Sequence, residues 1–223
     1  MIKDIIAAIK KGENFLIASH IKLDGDALGS ELALYLMLIN SGKKAVVYNE
    51  DQTPGHYRFL PAAEKILHDL PDVNDFDVAF ILDCSEIERV GDKAKEIAKI
   101  RKIINIDHHI SNNGFSPLKL WDGQASSTGE LMFRLFEQMN ISMTPEICTN
   151  LYAAILTDTG GFRYASTSQY TLWAAGKLVE GGANPQWISE NIYESDAPAK
   201  IFLLKKTLET ISLDMENQVG SLV

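Results

Sequence analysis

An aspartate and two histidines stand together at Asp107-His108-His109, and elsewhere in the chain lie His20-x-x-x-Asp24-x-Asp26, Asp83 and Asp158. All are residue types that bind divalent cations. If Asp24, Asp26, Asp83 and Asp158 meet, their like charges repel and some must take up protons, unless two divalent ions supply the cancelling charge. Carboxylates and neutral imidazoles together are donors of intermediate hardness, which suits manganese. Zinc and iron(II) fit less well, and a site for magnesium alone rarely recruits imidazole. Two such ions ~3.5–4 Å apart clamp a phosphoryl group and activate a bridging water for in-line displacement.

Taken singly, each fragment has an ordinary explanation. Asp24-Gly25-Asp26 reads as turn chemistry, the histidine pair as a polar loop end, and Asp83 as a cap for a helix starting near Ser85. The elements that carry them argue otherwise. The apolar runs 14–19, 44–48, 77–83 and 102–107 have no helical period and read as buried strands. Helical spacing follows the first of these from Ala27 to Asn40, with Ser41-Gly42 as a stop, and further helices are expected near 62–69 and over 86–100. Alternation of this kind predicts an α/β fold, a mostly parallel sheet with helices on both faces. His20, Asp24 and Asp26 then follow the first strand, Asp83 closes the third, and Asp107, His108 and His109 close the fourth. In a parallel sheet these positions share the carboxyl edge, where open α/β folds bind their ligands.

Beyond residue 124 the chain reads as helices: 126–139, 145–158, 168–182, 184–193 and 198–211. Asp158 ends the second of them, before Gly160-Gly161. Ile2, Ile5, Ile6 and Ile9 make an amphipathic first helix, and 211–223 alternates like a β-hairpin. With 223 residues and 46% hydrophobic content, one main domain is expected. A net charge of −9 argues against a long nucleic-acid duplex as partner. The apolar stretches are broken by charge well before the ~18 residues of a membrane span. Cys84 and Cys148 form no metal or disulfide framework, so a reducing cytoplasm is the expected setting.

The order His20-x-x-x-Asp24-x-Asp26, Asp83 after a strand, Asp107-His108-His109 and Asp158 after a helix resembles the four motifs of the DHH phosphoesterases, over residues 14 to 165. The SSTGE and TDTGGFRY segments look most like the group of bifunctional oligoribonucleases and 3′-phosphoadenosine-5′-phosphate phosphatases. The resemblance implies one ion held by His20, Asp24 and Asp83, and a second by Asp26, Asp83, His108 and Asp158, with manganese preferred over magnesium or cobalt. It implies that His109 faces the scissile phosphate and that Asp107 orients the histidine pair. Arg163 is a candidate to hold a substrate phosphate. Ser127, with Ser126 and Thr128, is expected to cap a helix whose N-terminus can meet one too.

The implied reaction is hydrolysis of short single-stranded RNA to 5′-mononucleotides and removal of the 3′-phosphate from the adenosine bisphosphate. A cyclic-dinucleotide phosphodiesterase or a family II inorganic pyrophosphatase is the alternative within the same chemistry, and a non-catalytic nucleotide-binding fragment the alternative outside it. Members of the family usually continue into a second domain with a glycine-rich GGGH-type segment, which does not occur here. The expected organisation is therefore a catalytic domain at 1–185, a helical linker at 186–212, and at 213–223 the start of a C-terminal domain that is largely missing.

Overall fold

The computed structural model describes residues 2–195, 198–214 and 219–221. The apolar runs form strands β1 (Asn14–Ala18), β2 (Lys44–Tyr48), β3 (Val78–Leu82) and β4 (Ile103–Asp107), and a fifth strand, β5, spans Leu118–Trp121. Their order is β2-β1-β3-β4-β5, and every neighbouring pair is parallel. All five carboxyl ends therefore lie along one edge.

The two-residue period of a strand divides the core. Phe15, Ile17, Phe80 and Leu82 face one layer, built on α1 (Ile2–Lys11), α2 (Gly25–Asn40), α4 (Thr128–Gln138) and α5 (Pro145–Asp158). Leu16, Ala18, Ala79 and Ile81 face the other, covered by Val90, Ile97 and Ile100 from short helical turns and loops, among them α3 (Ala94–Ile97). This is the α/β architecture that the alternation predicts. Asp24, Ser127 and Thr144 cap α2, α4 and α5 by accepting a backbone N–H in the first turn. Close contact between those three helices depends on glycine. A Cβ on Gly29 of α2 would stand 2.3 Å from the Asn150 carbonyl oxygen of α5, and one on Gly129 of α4 would stand 2.5 Å from the Ala154 Cβ.

Two expected helices need correction, and one strand is additional. The helix near 62–69 is absent: a 3-10 turn spans Ala63–Lys65, and Leu67 then donates to Val47 O at 2.9 Å while Asn49 donates to Leu67 O at 3.0 Å. β2 is an edge strand, and its open hydrogen-bonding groups claim this segment against its own helical period. The helix over 86–100 is broken into a 3-10 turn, Ile87–Val90, and α3. Gly91 between them has φ +105, and Glu50 accepts the Asp92 N–H at 2.7 Å, so a cross-chain carboxylate holds the break open. β5 was not foreseen. It is four residues long and only partly buried, too short for its period to show.

In the helical second half, α5 is followed by α6 (Gln169–Glu180), α7 (Pro185–Tyr193) and α8 (Pro198–Glu209). β6 (Ser212–Asp214) pairs antiparallel with β7 (Val219–Ser221), while the turn expected between them falls at 215–218, outside the described residues. No helix among the described residues is long and apolar enough to cross a membrane. Cys84 and Cys148 are both buried and free.

Candidate metal centre

Each candidate ligand is set by the end of an element. Asp83 leaves β3 with φ +55 while its N–H still donates to Ile106 O of β4 at 2.9 Å. A left-handed aspartate costs ~1–2 kcal/mol, and here that turn coincides with the point where the surrounding segments meet. His20 follows β1, Asp24 caps α2 with its Oδ1 on the Ala27 N–H at 2.9 Å, and Asp26 lies in the first turn of the same helix. Asp158 is the last residue of α5, and His108 and His109 follow β4.

Asp83 stands in the middle of the set. Its Oδ2 lies 3.2 Å from His20 Nε2, which is also 3.8 Å from Asp24 Oδ2. Its Oδ1 lies 3.6 Å from His108 Nε2, which is 3.7 Å from Asp26 Oδ2 and 3.2 Å from Asp158 Oδ2. Two groups with ligand atoms close enough to share an ion result: His20, Asp24 and Asp83, and Asp26, His108 and Asp158. A third such group, Asp83, His108 and His109, overlaps both histidines of the pair. The six residues expected to hold metal are thus brought together, with Asp83 between the two histidine-centred clusters.

The imidazoles are oriented from behind. His20 Nδ1 lies 2.7 Å from Ile21 O and His108 Nδ1 lies 3.3 Å from Ala125 O. A carbonyl can only accept, so each Nδ1 carries a proton, and a ring in its neutral form would present a bare Nε2 to the carboxylates. Acceptor then faces acceptor on both sides of Asp83, an arrangement that is favourable only with a cation or an extra proton between them. Oxygen and imidazole donors in these numbers fit two divalent ions.

The charges respond to this crowding. Burial, reinforced by Asp83, Asp158 and Asp24, pushes Asp26 well above the usual carboxylate range. Burial likewise raises Asp158, to about 6, and Asp24 rises through burial and the charge of Asp83. For His20, burial is outweighed by the hydrogen bond and charge of Asp83, and the ring is raised to about 9. Burial would raise Asp83 too, but the His20 hydrogen bond and the charges of His109, His108 and His20 bring it down to about 2.

Asp107 is fully buried. Its Oδ1 lies 2.7 Å from His109 Nδ1, and its Oδ2 accepts from Asn112 Nδ2 at 2.6 Å. The Asp107 hydrogen bond raises the His109 pKa in spite of partial burial. Sequence reasoning does not single out Asn112, and it reads Thr128 only as part of a helix cap, whereas the Thr128 hydroxyl donates to Asp83 Oδ1 at 2.8 Å. The N-terminus of α4 does meet an anion, but the anion is Asp26: its Oδ2 accepts the Thr128 N–H at 2.7 Å and its Oδ1 the Gly129 N–H at 2.8 Å. Those amides are therefore committed within the chain. The run Ser-Ser-Thr-Gly signalled a helix start, but nothing in it specified which carboxylate would occupy that start. Ser127 is buried and its Oγ accepts the Glu130 N–H at 3.0 Å, which fixes its hydroxyl in the cap. Arg163 is exposed just beyond Asp158, its Nε donating to Gly160 O at 2.6 Å. Neither is among the clustered ligands.

The comparisons with known proteins accord with this geometry. The chain is 32% identical over 196 residues to the bifunctional oligoribonuclease and PAP phosphatase NrnA of Thermus thermophilus, a match covering 88% of this chain and 58% of that protein. It therefore spans less than two thirds of that relative. Among solved structures, an exopolyphosphatase-related protein from Bacteroides fragilis superposes with a TM-score of 0.92 at 25% identity, over 99% of this chain and 68% of the other. A putative family II inorganic pyrophosphatase of Methanococcus jannaschii shares the fold, with a TM-score of 0.60 at 20% identity, over 79% of this chain and 60% of the other. Residues 14–155 match the DHH family, N-terminal domain, and the chain belongs to that family.

Proposed function

We propose that the chain is the catalytic part of a metal-dependent phosphoesterase that hydrolyses short oligoribonucleotides to 5′-mononucleotides and removes the 3′-phosphate of 3′-phosphoadenosine-5′-phosphate. The observation that carries this reading is the position of Asp83, with one carboxylate oxygen toward His20 and the other toward His108. The Thermus relative, a bifunctional oligoribonuclease and PAP phosphatase, supplies the substrate class. His20, Asp24 and Asp83 would hold one ion and Asp26, Asp83, His108 and Asp158 the other. Manganese is the first choice, with magnesium or cobalt as alternates. When bound, such a pair supplies charge neutralisation at phosphorus and an activated water.

The remaining work falls to the chain itself. Asp107 holds the His109 ring through Nδ1, so Nε2 is the atom left to meet the substrate. There it donates to a phosphate oxygen or to the departing oxygen, and the Asp107 hydrogen bond, which raises its pKa, favours the protonated form that can do so. Arg163 holds a further substrate phosphate, its exposed guanidinium suited to bidentate contact. Ser127 serves the substrate indirectly, by fixing the start of α4 and with it the two amides that orient Asp26. The division of the chain into a catalytic domain at 1–185, a linker at 186–212 and a separate C-terminal segment at 213–223 belongs to the same proposal. So does a cytoplasmic setting for the activity, in keeping with two buried free cysteines.

The test is incubation of the chain with Mn²⁺ and, in parallel, diadenylate RNA, 3′-phosphoadenosine-5′-phosphate, pyrophosphate and a cyclic dinucleotide. Mononucleotide from the first and inorganic phosphate from the second are expected. Turnover of pyrophosphate or of the cyclic dinucleotide alone would transfer the assignment to those enzymes. Binding without turnover of any would refute catalysis by this chain.

A further inference from the structure

We propose that Trp121 and Ile110 form a platform on which a nucleobase of the substrate stacks, beside the phosphate that is cleaved. The inference rests on the nucleotide reading above and names the part of the chain that would recognise the base.

Ile110 follows the histidine pair directly and is 85% exposed, the most open of the large apolar side chains among the described residues. Nothing in folding favours an isoleucine there. Trp121 ends β5, directly opposite Asp107 in the parallel register, and is 44% exposed. Its indole Nε1–H donates to the His109 carbonyl oxygen at 2.8 Å. The ring edge is thus tied to the backbone of the residue proposed to face the scissile phosphate. The two side chains also converge: a Cβ built on Gly123 would lie 3.4 Å from Ile110 Cγ1 and 3.4 Å from Trp121 Cζ2. With glycine at that position, the space between indole and isoleucine stays open.

The side chains of the neighbouring site are polar. His109 offers a hydrogen bond to a phosphate, and the buried carboxylates of Asp83 and Asp107 face the other side chains of the site, so none of them offers a surface to a flat, weakly polar base. An indole fixed by its N–H loses little freedom on binding, and every nucleobase has a face that can stack on it, so the platform is tolerant of base identity. A bracing role for Trp121, in which the indole only supports the His109 backbone, would use the same hydrogen bond. It gives no reason for Ile110 to point outward.

The two roles separate in kinetics. The full chain is loaded with Mn²⁺ and assayed on diadenylate and on an analogue of the same sugar-phosphate backbone without bases, comparing the native residue with Trp121→Ala and Trp121→Phe. Stacking predicts that Trp121→Ala raises KM for diadenylate by about 5- to 100-fold and leaves the base-free substrate unchanged. Trp121→Phe, which keeps a ring but not the N–H, should retain most of the affinity. A fall in kcat shared by both substrates, or a KM that does not move, would overturn the proposal in favour of the brace. If the native chain cleaves neither substrate, the functional reading fails by itself. The platform is then decided by equilibrium binding of adenosine 5′-monophosphate against ribose 5-phosphate. A preference for the first that disappears in Trp121→Ala supports it, and no preference refutes it.

Discussion

Addition of Mn²⁺ should stabilise the chain more at pH 8 than at pH 6, and the structure sets the size of the difference. His20 is raised from 6.5 to about 9, so in the metal-free chain its protonated form contributes stability that is complete below pH 6.5 and is lost as pH rises through 9. Asp158, raised from 3.8 to about 6, acts in the same sense at lower pH, and Asp26 acts likewise above its ordinary range. Asp83, lowered to about 2, contributes in the opposite sense, but its contribution is lost only as pH falls from 3.8 through 2. The metal-free chain therefore loses stability from about pH 4 to pH 9. A ligand nitrogen must be deprotonated to hold an ion, so binding at His20 displaces one proton throughout the interval from pH 6 to pH 8. That proton alone makes apparent affinity rise about tenfold per pH unit, hence about 100-fold, or ~2.7 kcal/mol, over the interval, and any proton released by Asp26 or Asp158 adds to it. For a chain of this size that corresponds to ~5–10 °C more thermal stabilisation by the metal at pH 8. Thermal unfolding followed by circular dichroism, at fixed free Mn²⁺ and without metal at each pH, measures it directly. A metal-induced gain equal at the two pH values, or larger at pH 6, would show that His20 does not release a proton to the ion. In that case the assignment of His20 as a ligand is wrong. His20→Gln should flatten the difference.

Four further substitutions have expected outcomes. Asp83→Asn should lose both ions by elemental analysis, because its two oxygens face the two clusters, whereas His109→Ala should keep them and lose at least ~10²-fold in turnover; metal loss in His109→Ala would reverse the assigned roles. Thr128→Val removes the hydroxyl that donates to Asp83 while keeping the side-chain shape, and should weaken Mn²⁺ binding ~10- to 100-fold by calorimetry, an unchanged Kd excluding its part in the site. Gly29→Ala places a methyl 2.3 Å from a backbone carbonyl of α5 and should cost ~1–3 kcal/mol or more, read as a lowered melting temperature; an unchanged one would disprove the close approach of the two helices.

The ligand set was readable because a parallel sheet aligns its strand ends, so residues distant in sequence but each just past a strand had to fall on one rim. β1, β3 and β4 are buried on both faces, and their continuous apolar runs made those ends visible. What escaped was whatever depends on partners across the fold. The segment 62–69 has an adequate helical period, yet the edge of β2 recruits it through Leu67. Gly91 breaks a helical pattern at φ +105, where Glu50 from a distant segment accepts the Asp92 N–H. Thr128 and Asn112 are ordinary cap and loop residues in sequence, and they acquire a role only from Asp83 and Asp107 beside them. The start of α4 was correctly located, but its anion was not, since a carboxylate from more than a hundred positions earlier occupies it.

That last feature has a consequence for how the site fills. Two amides from a helix start grip both oxygens of Asp26, and the side chain is 1% exposed. Its rotamer is therefore chosen before any ion arrives, and an incoming cation need not freeze it. Affinity that a floppy carboxylate would dissipate in ordering itself is left to strip water from the cation.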